Sequence, residues 1–292
     1  MHIGILNGFI AFLSLIPLKT IHLMGEVLGT ILSFTPNSSK KITEENLKLC
    51  FPNKKSKEIR ALTTKSLIET SKSLFESGHN WLNFPKSGVG KLVTVVGLEN
   101  VVSALEEKRG IILFSPHMGN IEVIVSYLTS SFTNEVTIPY TPAKISSLDK
   151  IIKTSRESMG ANMVKANASG VRTLLKSLKK GGLLLMASDQ VPKKKNGVIS
   201  SFFGIPALSV TLISSLGKRT GSPCFSVYCL RQPSGKGYKI IFSRKINALN
   251  NLEVQEGVNL MNRQLEECIM AAPEQYAWEY KRFKHSNFKS PY

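Results

Sequence analysis

The chain is short of cysteine, of acidic residues and of long uncharged runs. Its 292 residues include four cysteines, Cys50, Cys224, Cys229 and Cys268, far apart and without metal-ligand spacing. That excludes a disulfide framework and a cysteine-based metal site, and it suits a reducing compartment. Asp plus Glu number 20 against 38 Lys plus Arg, a formal charge of +18. Such a balance calls for an anionic partner: nucleic acid, an acidic protein or an anionic membrane surface. Aromatic residues do not alternate with the basic ones and no nucleic-acid-binding signature occurs, so no nucleic-acid partner is expected. No uncharged run reaches the ~20 residues of a straight membrane span. Internal repeats and long linkers are also missing. What is present is 42% hydrophobic and 20% charged residues, the composition of a core-forming chain rather than a disordered one.

The N-terminus is the most apolar part. Residues Ile3 to Leu18 carry no charge, and after Lys19 a second apolar stretch runs from Ile21 to Phe34, interrupted by His22 and Glu26. Met1-His2 offers no basic n-region for a signal peptide. A helix kinked at Pro17 that spans the membrane, a helix lying in the interface and a buried core helix all match the pattern; membrane attachment is favoured. The expectation is a hydrophobic membrane-anchoring helix over 1–35, followed by one domain over 36–292. The cluster Lys40, Lys41, Lys48, Lys54, Lys55 and Lys57 suits an anionic cytoplasmic leaflet and puts the rest of the chain inside. Its bland alternative is a solvated helix face.

From Ser39 to about Asn83 the pattern is helical, with a turn at Cys50-Phe51-Pro52-Asn53. Strand-like and helical segments then alternate. Strands are expected at Leu92–Val96, Ile111–Phe114, Val136–Tyr140, Met163–Val164, Leu183–Ala187 and Val198–Phe203. Gly204-Ile205-Pro206-Ala207 reads as a turn into a helix that runs to about Thr220. Pro223–Leu230 and Tyr238–Ser243 read as a strand pair, and Glu253–Met270 as the last long helix. This alternation predicts an α/β fold with a largely parallel or mixed sheet flanked by helices.

The strand Ile111–Phe114 ends at Ser115-Pro116, and the next ionisable residues are His117 and Glu122. The mouths of buried strands are where α/β proteins place their chemistry. On one helix, residues five apart would diverge by roughly 140°. His117 and Glu122 therefore meet only if His117 lies in the turn before the helix. Gly119 allows such a turn and Asn120 is a good N-cap, which places Glu122 in the first helical turn. A carboxylate beside the imidazole would hold its tautomer and steady the imidazolium, giving a general base for a hydroxyl. The bland alternative is a structural histidine and a helix-start glutamate. No Cys/His cluster completes a metal site, so no metal is expected; an organic cofactor is not implied either.

Several blocks together carry a resemblance. They are Asn46-Leu47 with Cys50-Phe51-Pro52, His117-Met118-Gly119-Asn120-Ile121-Glu122, Arg156 with Gly160, Asp189-Gln190 with Phe202-Phe203-Gly204 and Pro206-Ala207, and Pro273-Glu274-Gln275-Tyr276 with Trp278 and Arg282-Phe283. In this order, over nearly the whole chain, they resemble the late acyltransferases of lipid A biosynthesis, within the wider lysophospholipid acyltransferase superfamily. Tyr280 stands where that family often has His.

The resemblance implies an enzyme of the bacterial inner membrane, with its catalytic domain on the cytoplasmic side. It implies transfer of a fatty acyl chain from an acyl carrier protein to a hydroxyl of a lipid A precursor. His117 and Glu122 would be the catalytic pair, and Arg156, Asp189, Gln190, Asn120 and Gly119 would bind substrate. Arg156 is expected to meet a phosphate or the oxyanion, and Asp189 to position Arg156 or the substrate. The alternatives are a different glycolipid or glycerolipid acceptor, and a non-catalytic basic protein that binds anionic lipid.

Overall fold

A computed structural model describes residues 3–143, 145–285 and 291–292. The segment expected as one anchoring helix over 1–35 forms two helices, α1 (Ile3–Ser14) and α2 (Leu18–Phe34). Pro17 separates them, because proline cannot continue the hydrogen-bond ladder of a preceding helix. Among the described residues no helix is long and apolar enough to cross a membrane. The spanning reading is therefore corrected; Met1 and His2 of that segment lie outside the described residues. Next come α3 (Ser38–Cys50), α4 (Ser56–Phe75) and the short α5 (Phe84–Ser87). α2 crosses α4 at close range through Gly29, where a Cβ would lie 2.3 Å from the Ile68 Cα.

The α/β part follows in chain order: β1 (Val93–Val96), α6 (Leu98–Leu105), β2 (Ile111–Ser115), α7 (Ile121–Ser131), β3 (Val136–Tyr140), α8 (Ser146–Ser158), β4 (Ala161–Lys165), α9 (Ala168–Lys179), β5 (Leu183–Ala187), β6 (Gly197–Phe202), β7 (Ile205–Val210), α10 (Leu212–Thr220), β8 (Cys224–Arg231), β9 (Tyr238–Phe242) and α11 (Val254–Met270). The main sheet has the order β1-β9-β8-β2-β5-β3-β4. All its pairings are parallel except β8–β9. This is the largely parallel α/β sheet expected.

β2 is buried along its full length, and its alternation feeds two cores. Ile112 and Phe114 pack with Leu174 and Leu178 of α9, Ile213 and Leu216 of α10, and Met261 and Leu265 of α11. Ile111 and Leu113 pack on the other face with Val123, Ile124 and Leu128 of α7. A strand covered on both faces reads as a continuous apolar run for this reason.

One expectation fails here. Ile205–Val210 is strand β7, antiparallel to β6, and the helix starts only at Leu212. Pro206-Ala207 has the composition of a turn, but a two-stranded ribbon has free edges, and a proline with no N–H to donate is tolerated there.

Candidate active site

The site is set by strand register. β2 and β5 are neighbours with Ser115 opposite Ala187, and the Ser188 amide donates to the Ser115 carbonyl at 2.9 Å. The residues that follow, His117 and Asp189, therefore leave the sheet side by side. His117 Nδ1 lies 2.5 Å from Asp189 Oδ1, and the His117 amide donates to Asp189 Oδ2 at 3.1 Å. Asp189 is buried, with 2% of its side chain exposed, whereas the His117 side chain keeps 33%. Nε2 of His117 makes no hydrogen bond among the described residues. The imidazole is thus held at one nitrogen and open at the other.

The electrostatics follow from this contact. Burial disfavours the imidazolium, but the charge and hydrogen bond of Asp189 outweigh it and hold the His117 pKa above its ordinary value; Arg156 opposes and Glu279 assists. Burial likewise disfavours the Asp189 carboxylate, yet His117 and the neighbouring Tyr276 hydroxyl hold its pKa below the usual range. Nδ1–H donated to a carboxylate leaves Nε2 as the basic atom.

Glu122 does not sit on the imidazole. Both its oxygens accept from Arg156 of α8, Oε2 from Nε at 3.0 Å and Oε1 from Nη2 at 2.7 Å. The expected His117–Glu122 pairing is corrected accordingly. Glu122 lies in the first turn of α7 and reaches Arg156 on α8, while the imidazole meets Asp189 just past β5. Arg156 is mostly buried, and its Nη1 has no hydrogen-bond partner among the described residues. Of the two expected roles of Asp189, positioning Arg156 or the substrate, the first is not seen: its carboxylate is committed to His117.

Two more expected ligand residues serve the turn itself. Asn120 Oδ1 caps α7 by accepting from the Glu122 amide at 3.1 Å, while Nδ2 donates to Glu76 and Asn80. Gly119 has φ +57°, and a Cβ there would fall 1.7 Å from the Cys229 carbonyl oxygen. Its amide donates to the Gln275 carbonyl at 2.9 Å. The Asn120 side chain and the Gly119 backbone are thereby used within the protein. Gln190 is exposed and makes no hydrogen bond among the described residues.

The C-terminal block straps the turn that carries His117. The Ala277 amide donates to the His117 carbonyl at 3.0 Å, and Met118 bridges Tyr276. Asn46 donates to the Trp278 and Tyr280 carbonyls, which ties α3 to this strap. Tyr280 accepts from the Val191 amide at 3.0 Å and so steadies the chain just past Asp189.

Sequence reading missed the residues behind the turn. Glu76, fully buried, accepts from His22, Asn120, Tyr238 and Arg231. Burial alone would raise its pKa, but the Arg231 guanidinium, with His22, holds it down to about 2. Glu279 was missed as well: it accepts from Thr70 at 3.0 Å, burial pushes its carboxyl upward, and the His117 charge opposes that rise. Glu76 sits in no patterned motif, and Glu279, though it lies within the C-terminal block, is not one of the residues that carry that block's resemblance.

A largely parallel sheet thus carries, at the mouth of a central strand, an imidazole held by a buried carboxylate. The chain belongs to the bacterial lipid A biosynthesis acyltransferase family, whose model matches residues 2–285. It is therefore an acyltransferase. It is 26% identical over 270 residues to the lipid A biosynthesis lauroyltransferase of Escherichia coli (strain K12), covering 92% of this chain and 87% of that one. The palmitoleoyltransferase of the same organism is 25% identical over 270 residues, 92% and 86% covered. A lipid A biosynthesis acyltransferase of Haemophilus influenzae is 24% identical over 277 residues, 92% and 83% covered. Among solved structures, the 1-acyl-sn-glycerophosphate acyltransferase PlsC of Thermotoga maritima aligns with 77% of this chain and 95% of its own. Its TM-score is 0.32 and its identity 13%, too distant a likeness to bear on the fold.

Proposed function

We propose that the protein transfers a fatty acyl chain from an acyl carrier protein thioester to a hydroxyl of a lipid A precursor. His117 is the general base, and Asp189 is the carboxylate that orients it. The observation that carries this reading is the open Nε2 of an imidazole whose Nδ1 is held by a buried carboxylate. Nε2 takes the proton of the acceptor hydroxyl as its oxygen attacks the thioester carbonyl. The tetrahedral oxyanion collapses, the carbon–sulfur bond breaks, and the thiolate takes the proton back from the imidazolium. No acyl-enzyme is needed. Glu122 fixes Arg156, whose unengaged Nη1 meets the oxyanion or a phosphate of a substrate. A guanidinium held on two of its nitrogens is pre-organised for that task.

The location proposed is the cytoplasmic face of the bacterial inner membrane, with α1 and α2 lying in the interface. Leu15 and Phe34 are each 83% exposed, and Phe9, Phe12, Leu23, Val27 and Ile31 are exposed as well. Such a set of outward apolar side chains on α1, α2 and the turn between them, in a chain of charge +18, suits an anionic lipid surface. The donor is tested by supplying purified protein with the same acyl chain on carrier protein and on coenzyme A, together with a lipid A precursor. The reading expects carrier release coupled to a lipid heavier by one acyl group. Transfer from coenzyme A alone contradicts the donor assignment.

A further inference from the structure

Behind the catalytic turn lies a buried ionic cluster that the proposed chemistry does not use. Glu76, just past the end of α4, is its centre. Arg231, the last residue of β8, forks onto it, Nε to Oε1 at 2.7 Å and Nη2 to Oε2 at 2.9 Å. The same guanidinium reaches Glu69 through Nη1 at 3.1 Å and Ser73 through Nη2 at 2.6 Å. His22 of α2 and Tyr238 of β9 close on Oε1 at 2.8 and 3.0 Å.

Two bonds lead from this cluster into the turn. Arg231 Nη2 donates to the Gly119 carbonyl at 2.8 Å, and Asn120 Nδ2 donates to Glu76 Oε2 at 2.9 Å. From the opposite side, Gln275 pairs with the Arg231 backbone, accepting from its amide at 2.8 Å and donating to its carbonyl at 3.2 Å. Its own carbonyl accepts from the Gly119 amide. Gly119 is thus gripped at both its amide and its carbonyl, and the grip traces back to Glu76 and Arg231. His117 sits two residues before it.

A buried ion pair is weak grounds for stability, because well-packed apolar residues of similar volume generally do as well or better. What apolar residues could not do is hold a backbone carbonyl and a side-chain amide of one turn in a fixed frame. We infer that Glu76 and Arg231 are positioning residues of the acyl transfer, setting the turn 117–121 so that the open imidazole nitrogen meets the acceptor hydroxyl. His22 extends the same frame to α2, one of the two helices with outward apolar side chains. The kinetic part of this inference rests on the acyl-transfer reading; the structural part does not.

The test is the double variant Glu76→Gln/Arg231→Met, which removes both charges and keeps the volume. Three quantities are read on it and on wild type: kcat and KM for acyl transfer, the thermal midpoint, and hydrogen exchange in peptides covering 117–121 and α11. The inference expects kcat to fall on the order of 100-fold while KM stays within about threefold, since misplacing a reacting group weakens the chemical step. It also expects exchange in the turn to rise about tenfold with α11 unchanged, and the thermal midpoint to be retained. A variant with kcat within about twofold of wild type, or with unaltered turn exchange, overturns it. If the double variant does not fold, Arg231→Lys takes its place, since one ammonium cannot span Glu76 and the Gly119 carbonyl together; the same outcomes decide. Wild-type protein that transfers no acyl group overturns the functional reading instead, and turn exchange then decides the inference by itself.

Discussion

His117 and Asp189, 72 residues apart in the chain, share a 2.5 Å contact between Nδ1 and Oδ1 at the mouths of two adjacent parallel strands. The acid nearest in sequence, Glu122, is committed to Arg156. The His and Glu of the His-x4-Glu spacing therefore belong to two side-chain pairs rather than one.

Replacing Asp189 with Asn keeps the shape but removes the charge that orients and stabilises the imidazolium. Such a change is expected to lower kcat by about 1,000-fold or more, in line with loss of the carboxylate in other imidazole-based sites. Steady-state acyl transfer checks it, and a comparable loss is expected of His117→Ala but not of a Gln190→Ala variant.

The rate has a defined pH dependence. Asp189 raises the His117 pKa, and the base must be neutral, so kcat/KM falls as pH drops through a value above the ordinary imidazole pKa of about 6.5. In Asp189→Asn that acidic limb moves to lower pH. The same pair contributes stability on the acid side of the His117 limb. The raised His117 pKa adds stability that is complete below its unfolded pKa and lost as pH rises through the folded one. The lowered Asp189 pKa adds stability present above the unfolded carboxylate value and lost as pH falls through the folded one.

Arg156→Met leaves the Glu122 carboxylate buried without its partner. A loss of about 3 kcal/mol in unfolding free energy is expected, because breaking a buried pair strands a charge. Adding Glu122→Gln restores much of that stability but none of the activity. Chemical denaturation of the single and double variants gives the coupling.

Gly119→Ala is expected to cost about 3 kcal/mol, since it adds strain at positive φ to a collision with the Cys229 carbonyl. Thermal unfolding measures that loss, and the change is expected to abolish transfer even below the lowered midpoint.

The sheet was largely legible in the sequence, because Ile111–Phe114 and Leu183–Ala187 are covered on both faces and so read as unbroken apolar runs. The turn was legible in part: Gly119 and Asn120 were seen as turn and cap, and both do that work. The pairing of His117 with Asp189 was not legible, because it depends on β2 lying beside β5, and nothing in a single strand names its neighbour. Glu76 and Arg231 were hidden for the same reason, being single charged residues 155 positions apart. Pro17 signalled the break between α1 and α2, but the apolar content around it drew the reading toward one anchoring helix.

The interfacial placement predicts that Val27→Asp/Ile31→Asp lowers partition onto vesicles containing anionic lipid by at least about tenfold, since each buried aliphatic side chain contributes roughly 1.5–3 kcal/mol. Vesicle sedimentation reads the partition, and an unchanged thermal midpoint shows that the substitutions act at the surface.

The most direct test of the central claim is the mass of the lipid formed when purified protein meets an acyl carrier protein thioester and a lipid A precursor. The account predicts a product heavier by one acyl group, lost in both His117→Ala and Asp189→Asn variants that remain folded. Undiminished product from either folded variant would contradict it.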